Sequence, residues 1–496
     1  MGKVEKTILF GGLNNQNPPT EVGIDNSVIA ANVDFLDDKS AALRDGTTIT
    51  TETGSVGTMI QGEDKVIFNV GTALRSFNGT TVSALVTLAG GTNVKLLEVN
   101  DVLVVSYSAA TAFYNSAYTI ITPAVTAPLD GEDQHKVLAT GLANSHCLAT
   151  FAGHLLFGTD DGIKFTDAYN IFQYDDRDYL LATGFAVKHI AVTNSGIWAA
   201  GDDDVVFLAG ETIGSLTFDY RSNAGCIAIA STRRSELGEN ETELPQYVAL
   251  LTTGVFLLND DGSMTDLSDQ NYRPPIASAG AAIVRDINGA RQALFSFANG
   301  GSGAMYTNKS ETKPVTATGL AVSGTGANTD VTAIAVNLKT GAISEYTNFG
   351  FTSLALIGDD AYGSRTTGIF SLTGETDLGV DIPASYLSGV TDFPNEGQYG
   401  SPEDAFMQKT ILDLYLGMTV FQDAGYCWLR ADEVLDRKYP YRGTSFSDRG
   451  VRNIRIKGIG KGIRGRYWQF GYENEFGSDF QIDSVLAMGA RLKRRV

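Results

Sequence analysis

The sequence has few of the residues that build covalent or metal-bound frameworks. It contains three cysteines and four histidines in 496 residues. Cys147, Cys226 and Cys427 are far apart, with no CxxC pair and no cluster of cysteine with histidine. The sequence therefore predicts neither a disulfide framework nor a zinc site, and we expect three buried free thiols.

Long apolar runs are also missing. No run approaches the ~18 consecutive apolar residues that indicate a membrane-spanning helix. The opening stretch, MGKVEKTILFGG, lacks the apolar core and the cleavage pattern of a signal peptide. We therefore expect a protein that is made in the cytosol and does not span a membrane.

Proline is scarce and glycine is abundant, with 12 and 55 residues respectively. Glycine at this level without a repeat period is typical of many tight turns, and it argues against collagen or a low-complexity tract. With 43% hydrophobic and 19% charged residues, the chain can bury enough apolar surface to order itself.

Positive charge is scarce outside the C-terminal region. The net charge is −20, yet residues 430–496 hold 15 basic and 8 acidic residues, so the first 429 residues carry −27. An acidic surface of this size argues against a nucleic-acid-binding face over most of the molecule.

Short β-runs separated by turn residues dominate residues 51–380. The clearest block is 340–379, where β-branched and aromatic residues are bounded by Gly, Asp and Asn. A unit that begins with glycine and continues with apolar or aromatic residues recurs at Gly162, Gly196, Gly254, Gly303 and Gly368. Blades of a β-propeller need roughly 40–50 residues, so we predict an all-β protein whose residues 51–380 form a β-propeller of six or seven blades. A pair of β-sandwiches is the alternative for this region.

Two further regions flank the predicted propeller. Residues 1–50 are expected to form a partly irregular N-terminal segment that packs on the body or reaches a neighbouring subunit. Residues 381–496 are expected to form a β-sandwich-like domain with a basic arm and tail. Within it, 409–420 and 425–430 are predicted to pair as a hairpin.

Catalytic and cofactor motifs are weak. Residues 460–465 match G-x-G-x-x-G, but the aromatic stretch that follows predicts a strand, whereas a dinucleotide site needs a helix there. The acidic pairs, including Asp260-Asp261 in a possible calcium loop, are interpreted as solvated turns because no bidentate glutamate follows. Ser145-His146 does not by itself define a triad. We predict a non-enzymatic protein with no catalytic residue, cofactor or metal, and a polysaccharide-degrading propeller is an alternative that would need a pair of carboxylates in a cleft.

The basic C-terminal region provides the candidate functional residues. Arginine favours interfaces because its planar fork pairs with carboxylates through two hydrogen bonds. We therefore interpret this region as a contact with an acidic neighbouring subunit, with DNA-backbone contact or a merely solvated face as alternatives. The candidate inter-subunit residues are Arg452, Arg455, Lys457, Lys461, Arg464, Arg466, Arg491, Lys493, Arg494 and Arg495.

Three blocks of the sequence carry a resemblance to a known family. The first comprises Gly11-Gly12-Leu13-Asn14, Pro18-Pro19, Asn32-Val33-Asp34 and Leu43-Arg44-Asp45-Gly46, the second is 340–379, and the third comprises 460–470, Asn474, 477–483 and Arg494-Arg495-Val496. Together they resemble the tail structural proteins of short-tailed bacteriophages, the nozzle or hub proteins found below the portal and adaptor.

This resemblance implies a β-propeller with accessory β-domains, located in the virion tail after assembly in the host cytoplasm. It also implies a homo-oligomeric ring, commonly six-fold, in contact with portal, adaptor and other tail proteins. Genomic DNA would pass through the ring without specific binding during ejection. The family often has Arg-Pro-Gly where this chain has Arg44-Asp45-Gly46. A baseplate or receptor-binding propeller of a long-tailed phage is the alternative.

Overall fold

The computed structural model is almost entirely β-structure. It describes residues 3–8, 10–18, 21–62, 64–89, 92–125, 135–232, 246–269, 271–277, 279–287, 289–301, 331–391, 407–419, 424–432, 435–442, 451–457, 463–475, 477 and 479–495. Among these residues, no helix is long and apolar enough to cross a membrane.

Five strands precede the first complete blade of a propeller. They are β1 (Lys3–Ile8), β2 (Ser27–Ala31), β3 (Val33–Phe35), β4 (Ala41–Leu43) and β5 (Thr48–Glu52).

Three four-stranded antiparallel blades follow. Blade 1 contains β6 (Val56–Gln61), β7 (Val66–Val70), β8 (Ala73–Phe77) and β9 (Val82–Thr87). Blade 2 contains β10 (Lys95–Val99), β11 (Val102–Ser106), β12 (Thr111–Tyr114) and β13 (Ile120–Ile121). After β14 (Lys136–Leu138) and a short 3₁₀ turn (Ala139–Gly141), blade 3 contains β15 (Cys147–Phe151), β16 (His154–Thr159), β17 (Gly162–Phe165) and β19 (Leu180–Ala182), while β18 (Gln173–Asp175) pairs with β14.

Three more blades complete most of the ring. Blade 4 contains β20 (His189–Val192), β21 (Gly196–Ala200), β22 (Val205–Ala209) and, after a 3₁₀ turn (Ile213–Ser215), β23 (Thr217–Ser222). Blade 5 contains β24 (Cys226–Ser231), β25 (Tyr247–Leu251), β26 (Gly254–Leu258) and β27 (Met264–Asp266). Blade 6 contains β28 (Ala281–Ile287), β29 (Ala290–Gly301), β30 (Val331–Asn337) and β31 (Ile343–Thr347).

The seventh blade is assembled from both ends of the propeller sequence. Its three inner strands are β32 (Ser353–Ile357), β33 (Asp360–Arg365) and β34 (Gly368–Ser371), and its outermost strand is β5 from the N-terminal region. The innermost strands of consecutive blades are neighbours all the way round, and β32 returns to β6. The described residues therefore form a closed seven-bladed propeller, which confirms the predicted fold.

A separate apolar interface joins each pair of blades. Each interface contains fully buried side chains. One from each, in order from the interface of blades 1 and 2 to that of blades 7 and 1, is Val105, Phe157, Ile197, Trp198, Val248, Phe349 and Phe68. Tight turns make this stacking possible. Asn100 and Asp101 both have positive φ, as a two-residue type I′ hairpin requires.

The remaining strands form a β-sandwich beside blades 6 and 7. A small ribbon of β35 (Thr376–Asp377) and β36 (Val380–Asp381) leads to β37 (Ser385–Ser388), β38 (Met407–Thr419), β39 (Ala424–Ala431), β40 (Leu435–Arg442), β41 (Val451–Lys457), β42 (Trp468–Asn474) and β43 (Gln481–Arg495).

One sheet of the sandwich continues blade 6 outward. The order is β31-β2-β37-β42-β39-β40, in which β2 lies parallel to β31 and the other pairs are antiparallel. The second sheet has the order β3-β4-β43-β38-β41, with β1 also paired to β43. Apolar residues of both sheets, such as Leu414, Leu429, Trp468 and Ile482, belong to one core.

The N-terminal segment predicted over residues 1–50 contributes to both domains, since β1 to β4 lie in the sheets of the sandwich and β5 completes blade 7. The hairpin predicted between 409–420 and 425–430 is wrong, because β38 and β39 lie in different sheets. The chain crosses from one layer of the sandwich to the other at this point, and each strand finds its partners elsewhere.

Candidate interaction surfaces

The free ends of the two sandwich sheets are the most basic part of the described fold. β40 ends the first sheet and β41 ends the second, and no described strand pairs with the outer side of either. We call these two strands, 435–442 and 451–457, the basic edge. They have six basic residues and one acidic residue. An unpaired strand edge exposes backbone donors and acceptors, and charges placed there restrict which partners can pair with it.

Three of the predicted contact residues, Arg452, Arg455 and Lys457, lie on β41 opposite residues of β38. Arg455 is exposed, donates a hydrogen bond of 2.6 Å to the Asp413 carboxylate, and lies with its guanidinium 5.4 Å from the centre of the Tyr415 ring. Such an exposed ion pair contributes little stability. It does hold the arginine in place on the surface.

The C-terminal arginines lie on a second feature, a two-stranded ribbon. Arg491, Lys493, Arg494 and Arg495 occupy the end of β43, which runs beyond its pairing with β1 and pairs there with the start of β38. Lys409 of β38 also bridges to Gly465 on its other side. The start of β38 therefore brings the C-terminal basic strand beside the 463–466 segment.

The remaining candidates belong to that segment. Arg464 is exposed and Arg466 is half-buried, and the backbone N–H of Arg466 donates to the Asp432 carboxylate over 2.8 Å. Lys461 lies outside the described residues. The glycine motif 460–465 leads into strand β42 and not into a helix, which leaves no helix N-terminus for a pyrophosphate.

An acidic surface lies on the propeller. The turns between the second and third strands of blades 3 and 4 carry five exposed or half-buried aspartates, and these turns share one face of the ring because the blades repeat the same strand directions. We call this group the acidic rim: Asp160, Asp161, Asp202, Asp203 and Asp204. The propeller as a whole, residues 48–371, has 33 acidic and 17 basic residues.

Exposed aromatic residues adjoin the acidic rim. Phe218 and Tyr220 lie on β23, the outermost strand of blade 4, and are 51% and 48% exposed. The Tyr220 hydroxyl donates to Asp204 over 2.7 Å. Aromatic rings surrounded by charged groups are typical of the centre and margin of protein–protein contacts.

Not every acidic pair is a solvated turn. Asp260 is buried, and its carboxylate accepts hydrogen bonds from the backbone N–H groups of Asn194 and Ser195 at 2.7 and 3.1 Å. It therefore ties blade 5 to the turn of blade 4, and the sequence-based interpretation of this residue is wrong. Within the described ranges, no group of three His, Cys, Asp or Glu residues could hold a metal ion.

The histidines are engaged in separate local contacts. His146 lies 2.8 Å from Asp160 and His135 lies 3.1 Å from Asp176, whereas the Ser145 hydroxyl is buried without a hydrogen-bond partner. Burial, together with nearby Lys95 and Lys188, lowers the pKa of His189 to about 4. Ser145 and His146 therefore do not form the pair that a serine nucleophile needs.

A buried arginine joins the propeller to the sandwich. Arg44 donates to both carboxylate oxygens of Asp377, at 3.0 and 2.5 Å, and to Asn32 at 2.9 Å. It also donates to the backbone oxygens of Asp45 and Thr347 at 2.7 and 2.9 Å. All five N–H donors of the guanidinium are thus used. Thr347 ends the outer strand of blade 6, and Asp377 lies on the ribbon that leaves blade 7.

Aromatic rings cover the same arginine. Its guanidinium lies 4.9 Å from the centre of the Phe349 ring and 5.3 Å from that of Tyr346. The Tyr346 hydroxyl and Gln292 in turn donate to the buried Asp34. The junction between the two domains is therefore a specific polar network within an apolar core.

Two carboxyl groups at this junction lie in surroundings that favour their neutral form. Burial raises the pKa of Glu345 to about 7, against the opposing effect of a 3.0 Å hydrogen bond from Tyr272. Burial is also the main reason that the pKa of Asp45 is raised to about 6. Burial thus brings the pKa of both carboxyl groups closer to neutral pH.

Comparison with known proteins adds distant likenesses only. No protein-family model and no curated protein matches the chain. Similar solved structures include the extracellular domain of a one-component system, BT4673, from B. thetaiotaomicron (TM-score 0.41, 11% identity, 66% of this chain and 39% of that one). Others are BBS1N in complex with ARL6DN (0.38, 13%, 66% and 95%) and the Neurospora crassa Pan2 WD40 domain (0.39, 10%, 69% and 99%). At these scores the likeness carries no weight for function, and the fold rests on the strand order described above.

Proposed function

We propose that this chain is a non-catalytic structural protein of a bacteriophage tail. Several copies form a ring, six being the expected number, below the portal and adaptor proteins, and genomic DNA leaves the virion through its channel. The proposal starts from the three blocks of sequence that resemble tail nozzle and hub proteins.

One observation of the structure carries the proposal further. The molecule contains a closed propeller, residues 48–371, with a net charge of −16, and the basic edge lies at the far end of a sandwich that is built into blade 6. Such a body offers two surfaces of opposite charge. This is the property expected of a building block that binds its neighbours.

The acidic charge also suits a passage for DNA. A channel wall of net negative charge repels phosphates and provides no sites from which counterions must be released for binding. The expected behaviour is a lack of measurable affinity for duplex DNA at moderate salt. Fluorescence anisotropy with a labelled duplex tests this, and salt-sensitive binding in the micromolar range would count against the conduit.

Electron microscopy of the purified wild-type protein tests the assembly directly. A closed ring with an open centre is the expected result, and a protein that stays monomeric at all concentrations would contradict it.

The alternative, a receptor-binding or baseplate propeller, needs an aromatic-lined pocket for host glycans. Binding on a glycan array would favour this alternative.

A further inference from the structure

The basic edge and the acidic rim lie on opposite sides of the molecule. The sandwich is joined to blades 6 and 7, whereas the acidic rim belongs to blades 3 and 4, which are two or three blades away in either direction around a ring of seven. In the first sheet β40 is the fifth strand beyond β31, a distance of about 24 Å at the usual strand spacing. One chain therefore cannot bring its own two surfaces together.

Internal ion pairs leave both surfaces charged. Asp202 pairs with Lys188 at 2.7 Å, and Asp161 lies 4.0 Å from Lys164. Three aspartates of the rim remain in excess after these two lysines are counted. Asp160 and Asp161 are 76% and 71% exposed. The basic edge has a surplus of five positive charges over its 15 residues, and of four when the pair of Arg455 with Asp413 is counted.

We propose that the basic edge of one copy docks on the acidic rim of the next copy, beside Phe218 and Tyr220. This proposal rests on the proposed function, since it names the contact through which copies of the chain would assemble. The occupant is a second copy because the complementary charges are present on the same chain, at opposite ends.

A head-to-tail contact follows from the sign of the charges. A two-fold symmetric contact between basic edges would bring two positively charged surfaces together, and one between acidic rims would bring two negative ones together, which is unfavourable. A contact between unlike surfaces is heterologous, and it produces a closed ring when the rotation between copies divides a full turn. The aromatic residues supply apolar area that excludes water from the charged pairs.

Charge reversal tests the contact on each side. The rim variant carries Asp160→Lys, Asp161→Lys and Asp203→Lys. The edge variant carries Arg442→Glu, Arg452→Glu and Lys457→Glu. The matched control carries Asp64→Lys, Asp178→Lys and Asp360→Lys, three exposed aspartates on the other face of the propeller. Mass photometry measures the assembled fraction of each protein as a function of concentration.

Each reversed variant alone should need a concentration higher by a factor on the order of 100 for half-assembly, because like charges then face each other. The control variant should assemble as the wild type does. An equimolar mixture of the rim and edge variants should assemble again, because every contact between unlike variants restores opposite charges.

The possible outcomes separate the two proposals. If the wild type assembles and both reversed variants assemble equally well, this contact is wrong while the assembly itself stands. If the reversed variants are monomeric but their mixture stays monomeric too, the loss reflects damage at each surface and the contact is wrong. A wild type that never assembles overturns both proposals. Circular dichroism of every variant verifies that the β-fold is retained.

Discussion

Removal of Arg44 should uncouple the sandwich from the propeller. The side chain is fully buried and donates five hydrogen bonds, two of them to the buried Asp377. An Arg44→Met change leaves that carboxylate with one weak hydrogen bond, from Thr47 at 3.3 Å, and with the longer-range attraction of Arg365. Breaking one side of a buried ion pair costs about 3–5 kcal/mol, because the remaining charge has lost its direct partner.

Two further variants show whether the cost comes from the ion pair. Arg44→Lys should be nearly as unstable as Arg44→Met, because a single lysine ammonium cannot reach all the acceptors that surround the planar guanidinium. The double variant Arg44→Met with Asp377→Leu should be more stable than either single variant, because no buried charge is left unpaired.

Tryptophan fluorescence during urea unfolding provides the assay. Trp428 and Trp468 lie in the sandwich and Trp198 lies in blade 4, so a Trp198→Phe background reports on the sandwich alone. When Arg44 is present the two domains should unfold together, whereas in Arg44→Met the sandwich should unfold before the propeller. A loss of less than about 1 kcal/mol in Arg44→Met would refute the role assigned to this network.

Three other predictions use the same reasoning about burial. Phe370→Ala should cost about 3–5 kcal/mol in denaturant unfolding, because this ring is fully buried between blades 6 and 7, whereas Phe218→Ala should change stability by less than about 1 kcal/mol; equal losses would contradict the blade packing. Glu345 contributes stability that is fully present below its unfolded-state pKa of 4.5 and is lost as the pH rises through about 7. Glu345→Gln should therefore stabilise the protein by about 3 kcal/mol at pH 8 and hardly at pH 4.5. A gain of the same size at both pH values would contradict the assignment. Cys226 and Cys427 are buried as expected, whereas Cys147 is half-buried. Burial raises the pKa of all three thiols, that of Cys147 to about 12, so the native protein should react with DTNB at pH 8 far more slowly than the unfolded protein, which should react at three sites; equal rates would contradict this.

The propeller could be predicted from the sequence because its blades consist of hairpins, and a local pattern of strand and turn residues is sufficient to indicate a hairpin. The recurring glycine unit marks the third strand of blades 3, 5 and 7, at Gly162, Gly254 and Gly368. At Gly196 it marks the second strand of blade 4, and the third begins at Val205. The uneven gaps on either side of Gly196, of 34 and 58 residues, therefore come from one misassigned strand. Gly303 lies outside the described residues.

The organisation of the sandwich could not be predicted in the same way. Lys3 pairs with Ala490, and β5 pairs with strand β34 more than 300 residues later. Alternation of polar and apolar residues indicates that a strand exists, but it does not identify the neighbour across such distances. For the same reason the sequence suggested a hairpin of β38 with β39, which in fact lie in different layers.

The candidate surfaces were predicted in part. A surplus of basic residues in 430–496 is visible in the composition, and the structure places it on two sheet edges and a ribbon. The acidic rim was read as separate turns, because only the closed ring brings Asp160 and Asp202 to the same face. From the sequence, Arg44 is only one charged residue in a turn. Its five hydrogen bonds can be identified only in the folded structure, where blades 6 and 7 meet the sandwich.

Cryo-electron microscopy of the purified wild-type protein tests the central claim most directly. The account predicts a closed ring in which the sandwich of each copy contacts blades 3 and 4 of its neighbour, around a channel with an acidic wall. A monomer, or a two-fold dimer formed through the propeller faces, would contradict it.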